Sequence, residues 1–190
     1  MFLRKARMKV LSLAVLLSVL SLAQSTPPPG SPHRSGLSQH SLDKITKEVR
    51  HELVMLPFYG VFDNLAYKVS PDGAVTLLGQ VVRASTRVDA GKAVQHIEGV
   101  TKVENQIEVL PVSINDDRIR RAVYRAIYGN DVLSRYQIMA VPPIHIIVAN
   151  GHVTLEGVVS TQMDKQIAGV QANSVSGVFS VTNNLRVEKG

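Results

Sequence analysis

The ten residues GAVTLLGQVV, starting at Gly73, return 78 positions later as GHVTLEGVVS, starting at Gly151. Self-similarity at a fixed offset constrains a fold more than any single motif, because each copy must be a unit that can bury its own apolar face. Without gaps, residues 73–109 lie over residues 151–187, matching Val75/Val153, Thr76/Thr154, Leu77/Leu155, Gly79/Gly157, Ala90/Ala168, Gly91/Gly169, Gly99/Gly177, Asn105/Asn183 and Val109/Val187. Upstream, DKITKEV at 43–49 resembles DRIRRAV at 117–123, and between the two blocks the second copy is four residues longer. The chain is a tandem of two homologous units.

Each unit reads as α-β-β-α-β. Ile45, Val49 and Leu53, then Ile119, Val123, Ala126 and Ile127, recur at helical spacing. Ser41, and Asn115 or Asp116, are the expected caps. Asn150-Gly151 fits a two-residue hairpin turn that pairs Val148 with Val153 and Ile146 with Leu155 on the inner face. It places His145 opposite Glu156, and Ile147 opposite Thr154, on an open face. The first copy turns through Ser70-Pro71-Asp72-Gly73 and pairs Val69 with Val75 and Tyr67 with Leu77. A second helix is expected over 86–98, ended by Gly99 and, in the other copy, by Gly177. The second glycine of GxVTLxG is expected to relieve crowding against a helix. The fold class is therefore α+β: two tandem αββαβ two-layer units, each a three-stranded mixed sheet covered on one face by two helices.

The pattern G-x-V-x-L-x-G, then alanine in the helix, then G-V-x-x-V-x-N-x-[IL]-x-V, resembles the BON domain of bacterial envelope and osmotic-stress proteins. The resemblance implies an αββαβ fold, periplasmic residence and a non-catalytic role, with binding of phospholipid or a membrane surface. Some relatives are lipid-anchored through a cysteine, and this chain contains none.

Four basic residues in the first nine, a thirteen-residue apolar run over 10–22 and Ser21-Leu22-Ala23 have the order of a secretory signal, with cleavage expected after Ala23. The organisation expected is a signal peptide at 1–23, a Pro/Gly/Ser-rich tether at 24–40, a first domain at 41–111 and a second at 112–190. Removing the signal leaves seventeen Lys+Arg against fifteen Asp+Glu, so the formal +6 falls to +2. Global basicity gives no ground for nucleic-acid binding. Without cysteine there is no disulfide framework or thiol chemistry.

Chemistry-bearing motifs are sparse. HELVM at 51–55 carries Met55 where a zinc protease needs its second histidine. No GxSxG, phosphate loop or GxxG occurs. His145 and Glu156, with His152 further along, could form a metal or acid/base group, against plain cross-strand pairing on a solvated face. Asn105 and Asn183, of inward parity, are expected to satisfy backbone groups near a helix end. No nucleophile-base set is visible, so neither an enzyme nor a cofactor is expected.

The first helix of the second unit stands apart. Arg118, Arg121 and Arg125 fall on one stripe opposite Ile119, Val123 and Ile127, with Arg120, Tyr124 and Tyr128 among them. In the first unit Lys44, Lys47 and Arg50 are offset by Glu48 and Glu52. Residues 41–111 hold eight basic and nine acidic residues, and 112–190 hold eight and six. Guanidinium grips phosphate and tyrosine suits the headgroup level. Arg118, Arg121, Tyr124, Arg125 and Tyr128 are the expected contacts to an anionic membrane surface or phospholipid headgroup; the rival is an ordinary solvated face. The alternative function is a protein-binding adaptor or chaperone-like factor of the envelope, using the open sheet faces.

Overall fold

In a computed structural model, which describes residues 36–139 and 141–188, the α-β-β-α-β order occurs twice. The expected signal peptide and the tether up to residue 35 lie outside the described residues. The first repeat comprises α1 (Gln39–Val54), β1 (Asn64–Val69), β2 (Ala74–Val81), α2 (Ala84–Gln95), β3 (Lys102–Asn105) and β4 (Glu108–Val109). The second comprises α3 (Ile114–Tyr128), a 3₁₀ turn (Ser134–Tyr136), β5 (Ile144–Ala149), β6 (His152–Val159), α4 (Gln162–Asn173), β7 (Ser180–Asn183) and β8 (Arg186–Val187). The central strand of each sheet runs antiparallel to the strand before it and parallel to the broken third strand. Both hairpins keep the expected register, including Tyr67 opposite Leu77 and Ile146 opposite Leu155.

Each repeat has its own core. Ile45, Val49 and Leu53 of α1 pack with Val75, Leu77 and Val81 of β2 and Ala90 and Val94 of α2. Ile119, Val123 and Ile127 pack with Val153, Leu155, Val159, Ala168 and Ala172 in the same way. The third strand breaks because an asparagine side chain leaves the ladder for the helix. Asn105 donates from Nδ2 to the Arg87 carbonyl at 2.7 Å while its Oδ1 accepts from the Ile107 amide at 3.2 Å. Asn183 does the same with Lys165 and Leu185. A methyl group on Gly91 or Gly169 would lie 2.9 Å from that Nδ2, so the helical glycine and the strand asparagine belong to one contact.

Several local expectations are corrected. Both first helices start earlier than expected, capped by Ser38 and Ser113, whose hydroxyls accept the amides of Ser41 and Asp116. Asp116 is buried instead, and its two oxygens accept the Asn150 and Gly151 amides at 2.9 and 2.8 Å, fastening the hairpin turn to the start of α3. α2 and α4 end at Gln95 and Asn173, and a further turn separates them from Gly99 and Gly177. The second glycine of GxVTLxG relieves no helix crowding. Gly79 and Gly157 have φ of +109° and +121°, and a Cβ there would overlap the carbonyl oxygens of Asn64 and Pro143 on the neighbouring strand side.

The largest correction concerns the outer face of β5. His145 and Ile147, expected on an open face, are only 9% and 5% exposed. The segment between α1 and β1 crosses from the first repeat onto the second. The Ile146 amide donates to the Val61 carbonyl at 2.8 Å, Tyr59 stacks on His145 with centroids 5.6 Å apart, and Val61 and Phe62 pack against the second core. Asp63 ends the crossing segment, its carboxylate accepting the amides of Gly60 and Val82.

Two outcomes follow from this packing. Leu77→Ala and Leu155→Ala are each expected to destabilise by about 2–5 kcal/mol in denaturant titration. Thr76→Ala, on the outer face, is expected to cost under about 1 kcal/mol. Equal losses would put the register in error. The second outcome concerns pH. Burial lowers His145 below its ordinary 6.5, although the backbone and carboxylate of Asp63, the Gly60 backbone and Glu156 favour its proton. Burial conversely raises Asp63 above 3.8. A histidine depressed on folding stabilises fully above pH 6.5 and loses that contribution as pH falls through its folded value. Asp63 acts with the opposite sign, complete below pH 3.8 and lost as pH rises through its folded value. The difference between the natural chain and His145→Phe, which keeps the ring on Tyr59, isolates the histidine. Protection of the Ile146 amide, corrected for intrinsic exchange, should fall from pH 6.5 to 5 in the natural chain and hold in the variant. A parallel fall in both would remove His145 as the cause.

Candidate functional site

The site is built on α3. Its inner face is fixed by Ile119, Val123 and Ile127, which leaves Arg118, Arg121 and Arg125 exposed on the opposite side. None of the four ion pairs among the described residues involves these three arginines. Arg118 bends back to Asn115 Oδ1 at 3.0 Å and approaches Gly177 at the foot of the second sheet. Arg121 and Arg125 instead border a groove of about 480 Å³ whose walls are Val61, Phe62, Tyr124 and Pro142 and carry little polar surface. Two residues of this wall belong to the first repeat.

The remaining residues of the helix divide by burial. Arg120 is 3% exposed; it donates to the Val148 carbonyl at 2.6 Å and pairs with Asp117, so it ties α3 to β5. Tyr128, expected among the headgroup contacts, is 2% exposed. Its hydroxyl donates to the Ile144 carbonyl at 2.7 Å and accepts the Ile144 amide at 3.2 Å, capping the start of β5. Burial pushes its phenol far above the ordinary value. Tyr128 is a core residue and does not join the arginines. Tyr124 is half-buried, with Phe62 edge-on at 6.2 Å and Tyr128 tilted against it at 4.9 Å.

The extra residues of the second copy steady this site. Gln137 donates to the Tyr124 hydroxyl at 3.1 Å, and the 3₁₀ turn just before it is anchored on α4. Asp164 there accepts from Arg135 at 2.6 Å and from Tyr136 at 2.9 Å, closing a capping box with Thr161. Burial pushes the Asp164 carboxyl up, but the hydrogen bonds from Thr161 and Tyr136 and the Arg135 charge hold it below its ordinary value.

In the first repeat the positions aligned with Arg121, Tyr124 and Arg125 are Lys47, Arg50 and His51, and acidic residues stand on the adjacent face, toward α2. Lys44 is paired with Glu98 at 2.7 Å, and the groove between α1 and α2 is lined by Glu48, Glu52, Glu98 and His96. The helical stripe points to Arg121, Tyr124 and Arg125, and nothing in it points to Val61, Phe62 and Pro142 beside them. The signal for the first two was FYGVF at 58–62, an apolar run where a connecting segment is ordinarily polar. The expected His145–Glu156 pair is register-correct, but Tyr59 covers the imidazole, and His152 bonds Ser180 instead. Among the described residues no group of three or more His, Asp or Glu could hold a metal, and no helix is long and apolar enough to cross a membrane.

Among solved structures, the chain is similar to CdsD, a structural protein of the type III secretion system of Chlamydia trachomatis. Identity is 9%, with 77% of this chain and 93% of that one covered at a TM-score of 0.32. A second likeness, to the C-terminal domain of CdsD, has 10% identity, coverage of 75% and 96%, and a TM-score of 0.29. Among curated proteins none matches. The family model of the BON domain matches twice, at residues 41–111 and 115–189, the two repeats described above. The chain belongs to the BON-domain family and carries two such domains in tandem.

Proposed function

We propose that the protein is a non-catalytic module of the bacterial envelope that binds anionic phospholipid at a membrane surface through α3. The observation that carries this reading is the outward row Arg118, Arg121 and Arg125, for which the described residues supply no carboxylate partner. A surface helix gains most from an anionic membrane where its charges share one sign; on α3 the acids are Asp116, buried, and Asp117, paired with Arg120, whereas α1 interleaves Glu48 and Glu52 with its basic residues. The BON-domain resemblance to envelope and osmotic-stress proteins supports the same setting. Tyr124 supplies an amphipathic ring beside the charges, and the helix is held rigidly by Asp116, Arg120 and Tyr128.

Co-sedimentation with vesicles tests the proposal. Each basic side chain near an anionic surface contributes about 1 kcal/mol, so reversing two removes two attractions and adds two repulsions, about 4 kcal/mol or roughly a thousandfold. Arg121→Glu with Arg125→Glu is expected to abolish binding to vesicles containing phosphatidylglycerol, with unchanged folding. Lys47→Glu with Arg50→Glu in the first repeat is expected to change it little. Equal sensitivity of the two helices, or none of either, would discard the membrane and favour the protein-binding adaptor.

A further inference from the structure

We infer that the groove between the repeats takes one acyl chain of a single anionic phospholipid, whose phosphate lies between Arg121 and Arg125. This rests on the membrane reading and adds a ligand-sized site to it. A volume of about 480 Å³ is within the range of small-ligand sites, roughly 300–1,000 Å³. The walls are apolar and, among the described residues, the charges at the mouth are the two guanidinium groups, whose aliphatic stems can lie along the same apolar surface. That layout matches an amphiphile with one negative end.

The occupant is an alkyl chain and not a peptide strand. The nearest edge groups, the Val61 carbonyl and Ile146 amide, are already bonded to each other. A peptide lying in the groove would bury amides without partners, whereas an acyl chain has none to satisfy. The walls are also pre-set. Val61 is held through its carbonyl and Phe62 lies against Tyr124, whose hydroxyl is fixed by Gln137. Asp63, next in the chain, is anchored on Gly60 and Val82. Because Val61 and Phe62 come from the first repeat and Tyr124, Arg121, Arg125 and Pro142 from the second, neither repeat alone makes the site.

The test is a titration of the full chain with hexyl, octyl and decyl phosphate, each below its micelle-forming concentration, followed by NMR and calorimetry. About 0.8 kcal/mol per buried methylene corresponds to roughly fourfold in affinity for each one added. The expected result is a rise in affinity approaching that slope, with the largest shifts at Val61, Phe62 and Tyr124, and octyl glucoside at least tenfold weaker than octyl phosphate. Phe62→Gln should flatten the chain-length slope. The series on the natural chain decides the matter even if that variant does not fold. Affinity independent of chain length, with vesicles still bound, would overturn the groove and leave the surface reading intact. Failure of both the alkyl phosphates and the anionic vesicles to bind would overturn the proposed function itself. Equal affinity for octyl glucoside would overturn the groove as an anion-directed site.

Discussion

The bond from the Ile146 amide to the Val61 carbonyl decides what kind of object this tandem is. Without it the two repeats would be separate sandwiches, each with a core of its own and an outer sheet face left to water. With it, one end of the first repeat is laid across the edge and outer face of β5. Tyr59 then covers His145, and Phe62 meets Tyr124 on the helix that carries the arginines. An edge strand with unpaired amides invites foreign pairing. Here part of that edge is occupied by the chain itself, and the same contact supplies half of the apolar wall beside Arg121 and Arg125.

What was legible in the sequence was what each repeat does for itself. The offset of 78, the hairpin registers and the inward residues of the helices follow from period and turn chemistry, which are local. The junction is not local, and a repeat alignment hides it by treating both copies as the same unit. One signal was present. The outward position held by Lys68 in the first copy is Ile147 in the second, and Ala66 is replaced by His145. A lysine on one open face and an isoleucine on its counterpart mark the face that is covered. The caps were misplaced by a turn because several polar residues precede each helix. Only the geometry shows that Asp116 serves the hairpin and leaves capping to Ser113. The glycine of GxVTLxG was assigned to the wrong neighbour because strand and helix crowding look alike in one dimension.

The two copies meet the same backbone demands with different side chains. The amide after the central strand is Val82 in one repeat and Ser160 in the other; Asp63 accepts the first, and the Tyr136 hydroxyl accepts the second. At the start of the following helix Asp164 forms a capping box, whereas its counterpart Thr86 is buried with its hydroxyl unpartnered. Each substitution recruits a connecting segment. Asp63 fixes the segment that reaches across to the second repeat, and Tyr136 fixes the one that brings Gln137 to Tyr124. Divergence between the copies therefore lies where backbone groups need partners, and the pieces that satisfy them also flank the candidate site.

The arginines of α3 show why charge must be counted by place. Beyond the expected signal peptide the sequence carries a formal excess of only two positive charges, too small to steer anything as a whole. Arg120 is withdrawn from that field by burial, held on the Val148 carbonyl and Asp117, and so works as a tie between helix and strand. Arg118 is engaged with Asn115 near the helix start. What remains is Arg121 and Arg125, one turn apart, on a helix whose inner face is locked and whose flank is apolar. A phosphate approaching that pair meets two positive charges with, among the described residues, no competing carboxylate within ion-pairing distance. On α1 the aligned positions are Lys47 and His51, but Glu48 and Glu52 stand beside them on the face toward α2. Fold similarity makes the two repeats alike, and the placement of these few charges makes them unlike in what they can bind.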